Sequence, residues 1–534
     1  MKNNTKSHLQ DAMKMLGIEF GSTRIKAVLS DESGKVLASG AFAWENRLLS
    51  GGVWSYRLED ALKGMQCAYA ELKAAYRKAT RKTLCSLDAI GVSGMMHGYL
   101  PFDARGRQLA PFRTWRCTIT AEASEKLTKA FDFTIPQRWS VAHLYQRVLD
   151  GGAELKKLSF LTTLAGWIHF KLTGEKVLGL GEASGMFPVD PATRGYDAKM
   201  ARTFDRLAAK KGKFPWKVLD VLPRPLPAGE PAGALTEAGA RLLDPSGDLA
   251  PGALAAPPEG DVQTGMVATN TVRPGTANIS AGTSAFAVVA LAKPLAKRHP
   301  EIDVCVSPTG AQVAMSHANT CTSDINAWVA LLGGDYDRLF KEALKGAPDC
   351  GGVVSVPFFG GEPVVGMTQD PGDAMGGCEG CPLVTRAPDA DFTLANFMRA
   401  HVYSAFAAVR IGLGILFDEG LKLKGITGHG GIFKTPGVAQ QVLADAVSAP
   451  ATCLATAGEG GAWGMALLAA YAHERQAAKS QLSLEDFLAK RVFAGVKGVT
   501  LKPTRAGVKG YARYLERFGA ALVADAVAAK VHVR

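Results

Sequence analysis

Leu16-Gly-Ile-Glu-Phe-Gly-Ser-Thr-Arg-Ile-Lys-Ala-Val-Leu29 is the stretch whose reading decides the fold. Two short aliphatic runs flank Gly21-Ser22-Thr23, a pattern that predicts strand, tight turn and strand. A polar turn, Asp31-Glu-Ser-Gly34, leads to a third short strand at Lys35–Ala38, which makes an antiparallel meander. Helical periodicity follows at Leu58–Thr80, and a further strand, Leu87–Ser93, ends in Gly94. Helices are also predicted at Thr120–Ala130, Leu155–Leu172 and Tyr196–Lys210. After two proline-rich stretches, Leu222–Pro231 and Leu249–Pro258, the same plan recurs: Thr276–Ser280, a turn through Gly282-Thr283-Ser284, then Ala285–Leu291. Helices return at Ser323–Leu332, Thr393–Phe417 and Gly437–Val447. No short-period repeat is visible; what recurs is a hairpin with a small-residue turn followed by helices.

Composition sets the outer bounds. At 534 residues and 47% hydrophobic, the chain is long enough for more than one domain and too apolar for a disordered protein. The N-terminal residues Met1–Lys14 are polar and lack the apolar core of a signal peptide. No stretch reads as the ~20 apolar residues needed to span a bilayer, so a cytoplasmic protein with no membrane partner is expected. Nine cysteines form an odd, dilute set, which suits reduced thiols. Cys378-Glu-Gly-Cys381 has the CxxC spacing but no second CxxC or His pair, so zinc or redox chemistry is not its expected role. The formal charge of +12 keeps anionic partners in view. Most of it is terminal: Lys490–Arg534 holds ten Lys and Arg against Glu516 and Asp525. No helix-turn-helix, zinc-finger or aromatic-basic module accompanies it, so nucleic acid is not an expected partner.

Three segments carry chemistry. The turns at Gly21-Ser22-Thr23 and Gly282-Thr283-Ser284 can each cradle phosphate, because glycine lets backbone N–H groups approach closely and the hydroxyls add donors. Either one alone reads equally as an ordinary hairpin turn. Glu259-Gly260-Asp261-Val-Gln-Thr-Gly265 sets a lone acid between a strand end and a helix start. A carboxylate there can take the proton of a hydroxyl during phosphoryl transfer, and an N-cap is the competing reading. Gly428-His-Gly-Gly431 with Lys434, and Glu459-Gly-Gly461-Ala-Trp-Gly464, read as a glycine-lined nucleotide pocket or as close helix–strand packing. Together they point to phosphoryl transfer from a nucleotide.

The order of these motifs resembles the FGGY carbohydrate kinases, from about Met15 to Tyr471. Leu16–Leu29 is similar to the family's first phosphate motif, and Ser93-Gly-Met-Met-His-Gly98 to the sugar-side motif of its xylulokinases. Glu182-Ala-Ser-Gly185 resembles the back of the sugar pocket, Gly260–Gly265 the catalytic segment, Ser280–Ser284 the second phosphate motif and Glu459–Gly464 the adenosine-side end. Gly430–Pro436, Asp324–Trp328 and Trp44–Leu49 lean toward its ribulokinases.

The resemblance implies an α/β fold of two actin-like (ribonuclease H-like) ATPase domains around a cleft. An N-terminal sugar lobe would span Met15–Gly260 and a nucleotide lobe Asp261–Arg491, with residues 492–534 as a basic extension. It implies Asp261 as the catalytic base, with Met96, His97, Trp115, Glu182 and Asp261 toward the sugar. Gly21, Ser22, Thr23, Arg24, Gly282, Thr283, Ser284, Gly430, Gly431, Lys434, Gly460 and Gly461 would face the nucleotide, and Glu19 the metal. ATP and Mg²⁺ are the implied cofactors, a small ketose such as ribulose or xylulose the acceptor, and a homodimer the implied assembly.

Three departures qualify the acceptor. Glu19 stands where relatives carry Asp, Met95 where they carry Gln, and Trp115-Arg-Cys-Thr118 lacks the acid that holds sugar hydroxyls. A buried pocket that loses such an acceptor discriminates differently, by about 1–3 kcal/mol per unpaired group. A polyol kinase and a catalytically silent sugar or nucleotide sensor are the rival readings on the same scaffold.

Overall fold

The computed structural model describes residues 12–366, 381–456 and 458–532. Cys378 lies outside these residues, while Cys381 and the seven other described cysteines form no disulfide.

The described residues fall into two compact units. Unit 1 takes Met1–Val272, Cys305–Gln312 and Gly458–Gly495; unit 2 takes Arg273–Val304, Val313–Ala457 and Val496–Arg534. This division is interleaved, unlike the contiguous one expected at Gly260/Asp261.

Unit 1 is built on the meander β1 (Met15–Phe20), β2 (Arg24–Ser30) and β3 (Val36–Ala43), continued by β4 (Ala89–Gly94) and β5 (Leu254–Ala255) in the order β3-β2-β1-β4-β5. A short β6 (Glu259–Gly260) also pairs with β4. The β1–β2 pair is antiparallel, while β4 runs parallel to β1 and β5 runs parallel to β4. Unit 2 repeats the plan with β7 (Thr276–Ala281), β8 (Ala285–Ala290), β9 (Gln312–Ala318), β10 (Gly425–His429) and β11 (Ala451–Leu454), ordered β9-β8-β7-β10-β11. Its β12 (Gly498–Leu501) adds an antiparallel edge to β11. Each unit thus carries the same actin-like sheet, and the recurrence visible in the sequence is a recurrence of topology.

The helices that bear on the site are, in chain order, α1 (Leu58–Thr80), α2 (Leu164–Thr173), α3 (Leu180–Ser184), α4 (Asp261–Ala268), α5 (Leu394–Asp418), α6 (Val438–Val447), α7 (Gly460–Gln476) and α8 (Arg505–His532). In unit 1, α1 covers β2 and β3, and α7 lies on β1, β2, β4 and α4. The second approach is backbone to backbone: a β-carbon at Gly17 would stand 2.1 Å from Ala462 O, and one at Gly464 would stand 2.1 Å from Thr264 O. This close contact, rather than chain order, is why α4 and α7 belong with β1.

Three further expectations change. The helix expected over Leu155–Leu172 is a 3₁₀ turn, a strand at Phe160–Thr162 and then α2, because Thr163 caps α2 by accepting from Gly166 N–H and Phe160–Thr162 pairs with Leu100–Phe102. Among the described residues α5 is long and apolar enough to cross a membrane, contrary to the reading of the sequence; most of it is buried in the core of unit 2. The basic C-terminal segment is part of unit 2 rather than an extension. Tyr511, Tyr514, Phe518 and Ala521 recur at helical spacing on α8 and enter the core, while Arg505, Lys509, Arg513 and Arg517 stay exposed.

Candidate active site

Strand register assembles the acidic centre of unit 1. Glu19 on β1 pairs with Ser93 on β4, and Ser93 pairs in turn with Glu259 on β6, so three polar residues form one row near the carboxyl ends of parallel strands. Gly260 is the N-cap of α4, and Asp261 is its first residue. The competing N-cap reading of Asp261 therefore fails. Asp261 Oδ1 accepts from Met96 N–H at 3.3 Å and from Val262 N–H at 3.0 Å. Both bonds fall on one oxygen, which leaves Oδ2 for another group. Asp261 keeps solvent-accessible surface while protein crowds its carboxyl. Access governs what reaches it; crowding raises its pKa from the ordinary value, opposed by those N–H groups.

Glu19 is packed into the start of α7. It accepts from Ala462 N–H at 3.2 Å, and a β-carbon at Gly461 would stand 2.0 Å from its Oε1. Gly461 is therefore a glycine because the Glu19 carboxyl fills its side-chain space. Burial pushes Glu19 up to about 7, and the charge of Asp261 adds to the shift. Thr264 packs beside it, with Oγ1 3.3 Å from Ser93 Oγ. Gly460 has positive φ and open space around it. Glu259 has almost no exposed surface; it accepts from Gly181 N–H at 3.4 Å and Glu182 N–H at 2.9 Å, and burial pushes it up to about 8.

His97 lies on the other side of Met96, in the left-handed region at φ 70°. Arg138 Nε–H donates to its Nε2 at 3.2 Å, so its proton sits on Nδ1 and serves Gly185 O at 3.1 Å. Both ring nitrogens are engaged within the protein. Arg138 was not singled out in the sequence, and no local pattern marks it. Met96 is buried, and its side chain fills the space beside Gly260. Glu182 has no exposed surface.

The turn Gly21–Thr23 is buttressed by aromatic donors. Trp44 Nε1–H bonds Gly21 O at 2.7 Å, the Tyr56 hydroxyl bonds Ser22 O at 2.6 Å, and Trp115 Nε1–H reaches Ser22 Oγ at 3.2 Å. Trp115, expected at the sugar, reaches the first turn through its indole N–H. Arg24 is exposed at the start of β2, and Arg116 stacks over Trp54 at 3.8 Å.

Unit 2 holds the remaining candidates. Gly282 N–H closes the second turn on Ser284 O at 2.9 Å, while Gly282 O and Thr283 O accept from Thr322 N–H and Cys321 N–H. A β-carbon at Gly282 or Gly431 would meet nothing within 4 Å, whereas one at Gly430 would stand 2.2 Å from Ala281 O. Gly430 is thus explained by packing against the end of β7, and Gly282 and Gly431 are not. Lys434 is exposed on the following 3₁₀ turn.

Residues 14–145 match the FGGY family of carbohydrate kinases, N-terminal domain, and residues 277–473 match its C-terminal domain. The chain belongs to the FGGY family of carbohydrate kinases. It is a phosphotransferase acting on a sugar hydroxyl, and the family implies ATP as the donor. It is similar to a xylulose kinase from Haemophilus influenzae, 25% identical over 82% of this chain and 87% of that protein. Its fold is shared with a xyloylose kinase from Brucella ovis (TM-score 0.78, 19% identity, covering 96% of this chain and 99% of that one). A gluconate kinase from Lactobacillus acidophilus is as similar in shape (TM-score 0.78, 15% identity, covering 96% and 98%). Equal shape similarity to kinases named for different acceptors leaves the choice of sugar to the site.

Proposed function

We propose that the protein is an ATP-dependent ketopentose kinase of the cytoplasm in which Asp261 is the general base. The observation that carries the reading is the lopsided bonding of Asp261: two N–H groups hold Oδ1 and leave Oδ2 to accept a hydroxyl proton. A sugar hydroxyl is a poor nucleophile at neutral pH, so a base aimed at it helps as charge develops in the transition state. The pentulose acceptor is supported by the xylulose kinase relative that spans most of the chain.

Met96 and His97 would position the acceptor beside Asp261, with His97 acting through Arg138 and the Gly185 carbonyl it already holds. Trp115 would offer its ring to the sugar while its indole N–H steadies Ser22. In unit 1 the Gly21–Arg24 turn and Gly460–Gly461, and in unit 2 the Gly282–Ser284 turn, Gly430, Gly431 and Lys434, are proposed for the nucleotide. Gly282 and Gly431 support this by the open space where a side chain would stand.

Mg²⁺ fits the chemistry of Glu19. Its carboxyl is raised in part by the Asp261 charge, a repulsion that a hard cation relieves. Mg²⁺ takes one or two carboxylates and keeps waters and phosphate oxygens for its remaining positions, and Glu19 offers one such carboxylate. Glu19 would orient that water, and the ion would neutralise charge on the transferred group. The assembly is proposed as a homodimer, with a small sugar and ATP as the ligands.

The test is coupled ADP release over a panel of ketoses, sugar acids and polyols, with and without Mg²⁺. Turnover on a ketopentose above the others is expected. Preference for glycerol or erythritol would replace the reading with a polyol kinase, and nucleotide binding without turnover on any acceptor would replace it with a sensor.

A further inference from the structure

Behind Asp261 lies a set of buried polar atoms that the proposed reaction leaves unused. Neither carboxyl oxygen of Glu182 makes a hydrogen bond of ordinary geometry among the described residues, and Gln263 Oε1 also lacks a partner. Both side chains are fully buried. Both also face the α-carbon of Gly260: a β-carbon built there would stand 2.8 Å from Glu182 Oε2 and 2.8 Å from Gln263 Oε1. The two oxygens are therefore no farther apart than twice that length.

The Gln263 amide cannot turn round to relieve this arrangement. Its Nε2 donates to Val306 O at 2.9 Å, and a carbonyl accepts only from the nitrogen end, so Oε1 is committed to the Glu182 side. The Thr163 hydroxyl offers Glu182 one donor, but Gln263 Oε1 can only accept, so on that side an ionised Glu182 meets a second acceptor and both stay desolvated. A proton on Glu182 removes the conflict, since the Gln263 donor is already in use.

The surroundings favour that proton. The groups that face Glu182 are Asp261 at the start of α4, Glu259 on β6, the Thr163 hydroxyl at the start of α2 and the Tyr196 phenol. Burial holds the Glu182 carboxyl well above the ordinary carboxylate range; Thr163 opposes the shift, and the charges of Asp261 and Glu259 add to it. The backbone of Glu182 is tied to the same junction, because its N–H donates to Glu259 Oε2 at 2.9 Å.

We propose that Glu182 is a positioning residue that works as a neutral acid, its O–H serving Gln263 Oε1 directly or through one water, and so fixing the β6–α4 junction from which Asp261 projects. This rests on the reading of Asp261 as the base. When Glu182 loses its proton, two acceptors oppose each other and a new negative charge appears beside Asp261, so turnover falls on the alkaline side. Glu182 then acts on the reaction from behind the site, without touching the sugar.

The test pairs Glu182→Gln with Glu182→Leu. The glutamine keeps a donor of the same reach and cannot ionise; its kcat at neutral pH is expected within about three-fold of wild type, with the alkaline limb of the pH profile shifted upward or gone. The leucine removes the donor and is expected to lower kcat by about ten-fold or more with little change in the KM for ATP. Infrared spectra give a readout independent of turnover: wild type at neutral pH should show a protonated-carboxyl C=O band that Glu182→Gln lacks. An unchanged alkaline limb, a glutamine variant no better than leucine, or no such band would each overturn the proposal. Absence of kinase activity in wild type with the band present would instead overturn the base reading and leave the neutral acid standing. If Glu182→Gln does not fold, Gln263→Met decides: removing the acceptor should move the alkaline limb and the band's titration downward, and no movement would overturn the proposal.

Discussion

The two hairpin turns share a sequence pattern, Gly-Ser-Thr at Gly21–Thr23 and Gly-Thr-Ser at Gly282–Ser284, and follow the first strand of equivalent sheets. Their surroundings differ. The first is held from outside by three aromatic side chains, Trp44, Tyr56 and Trp115, all donating to it. The second is held by the N–H groups of Cys321 and Thr322 and by the Thr322 hydroxyl, and has open space at Gly282. One small-residue turn can thus be a buttressed piece of an acidic site or an open set of donors, and only its neighbours distinguish the two.

The largest test of that contrast concerns the base proposed in the first turn's unit. Asp261→Asn should lower sugar-dependent ADP release by about a thousand-fold while nucleotide binding, read by calorimetry, stays near wild type. Retained turnover would remove the chemistry from unit 1.

Packing offers the next contrast. Gly464→Ala forces a methyl to within 2.1 Å of the Thr264 carbonyl oxygen and should lower stability, read by urea unfolding. The expected loss is about 3 kcal/mol, at the upper end of overpacking effects. Gly282→Ala places its methyl in open space and should leave stability within about 0.5 kcal/mol, yet raise the KM for ATP about ten-fold if the turn receives phosphate. Equal stability losses in the two variants would erase the distinction.

The buttress is expected to contribute less. Tyr56→Phe removes the bond to Ser22 O and should lower stability by about 1 kcal/mol, measured by thermal unfolding, with a modest fall in kcat.

A further effect is one of pH. Glu259 is raised from 4.5 to about 8 in the folded protein, so over that window the native state keeps a proton that the unfolded chain gives up. The stabilisation is full below the ordinary carboxylate value and lost as pH rises through about 8. Glu259→Gln should flatten that slope in urea midpoints compared at acidic and alkaline pH.

Much of this was legible because it depends on local chemistry. The aliphatic runs around Gly21 and Gly282 predict both hairpins, and the isolation of Asp261 between a strand end and a helix start marks it as a candidate base. The C-terminal helix misled for a physical reason: its charges dominate composition, whereas Tyr511, Tyr514 and Phe518 decide where it packs. The glycines of Glu459–Gly464 were ambiguous between ligand and packing, and the structure divides them. Gly461 yields its side-chain space to the Glu19 carboxyl and Gly464 to the Thr264 backbone, while Gly460 remains open.

The sequence by itself determined the two sheets, their shared strand plan, the family and the candidate base, because hydrophobic period, turn residues and ordered motifs are local properties. Tertiary structure alone decided that α4 and α7 join the first unit, that His97 carries its proton on Nδ1, and that Glu182, Gln263 and Glu259 gather behind Asp261. Those facts depend on backbone approaches and on hydrogen bonds between segments far apart in the chain, from Arg138 to His97 and from Glu182 to Glu259. No periodicity encodes such pairings, because the energy that fixes them is released only when burial removes water from both partners.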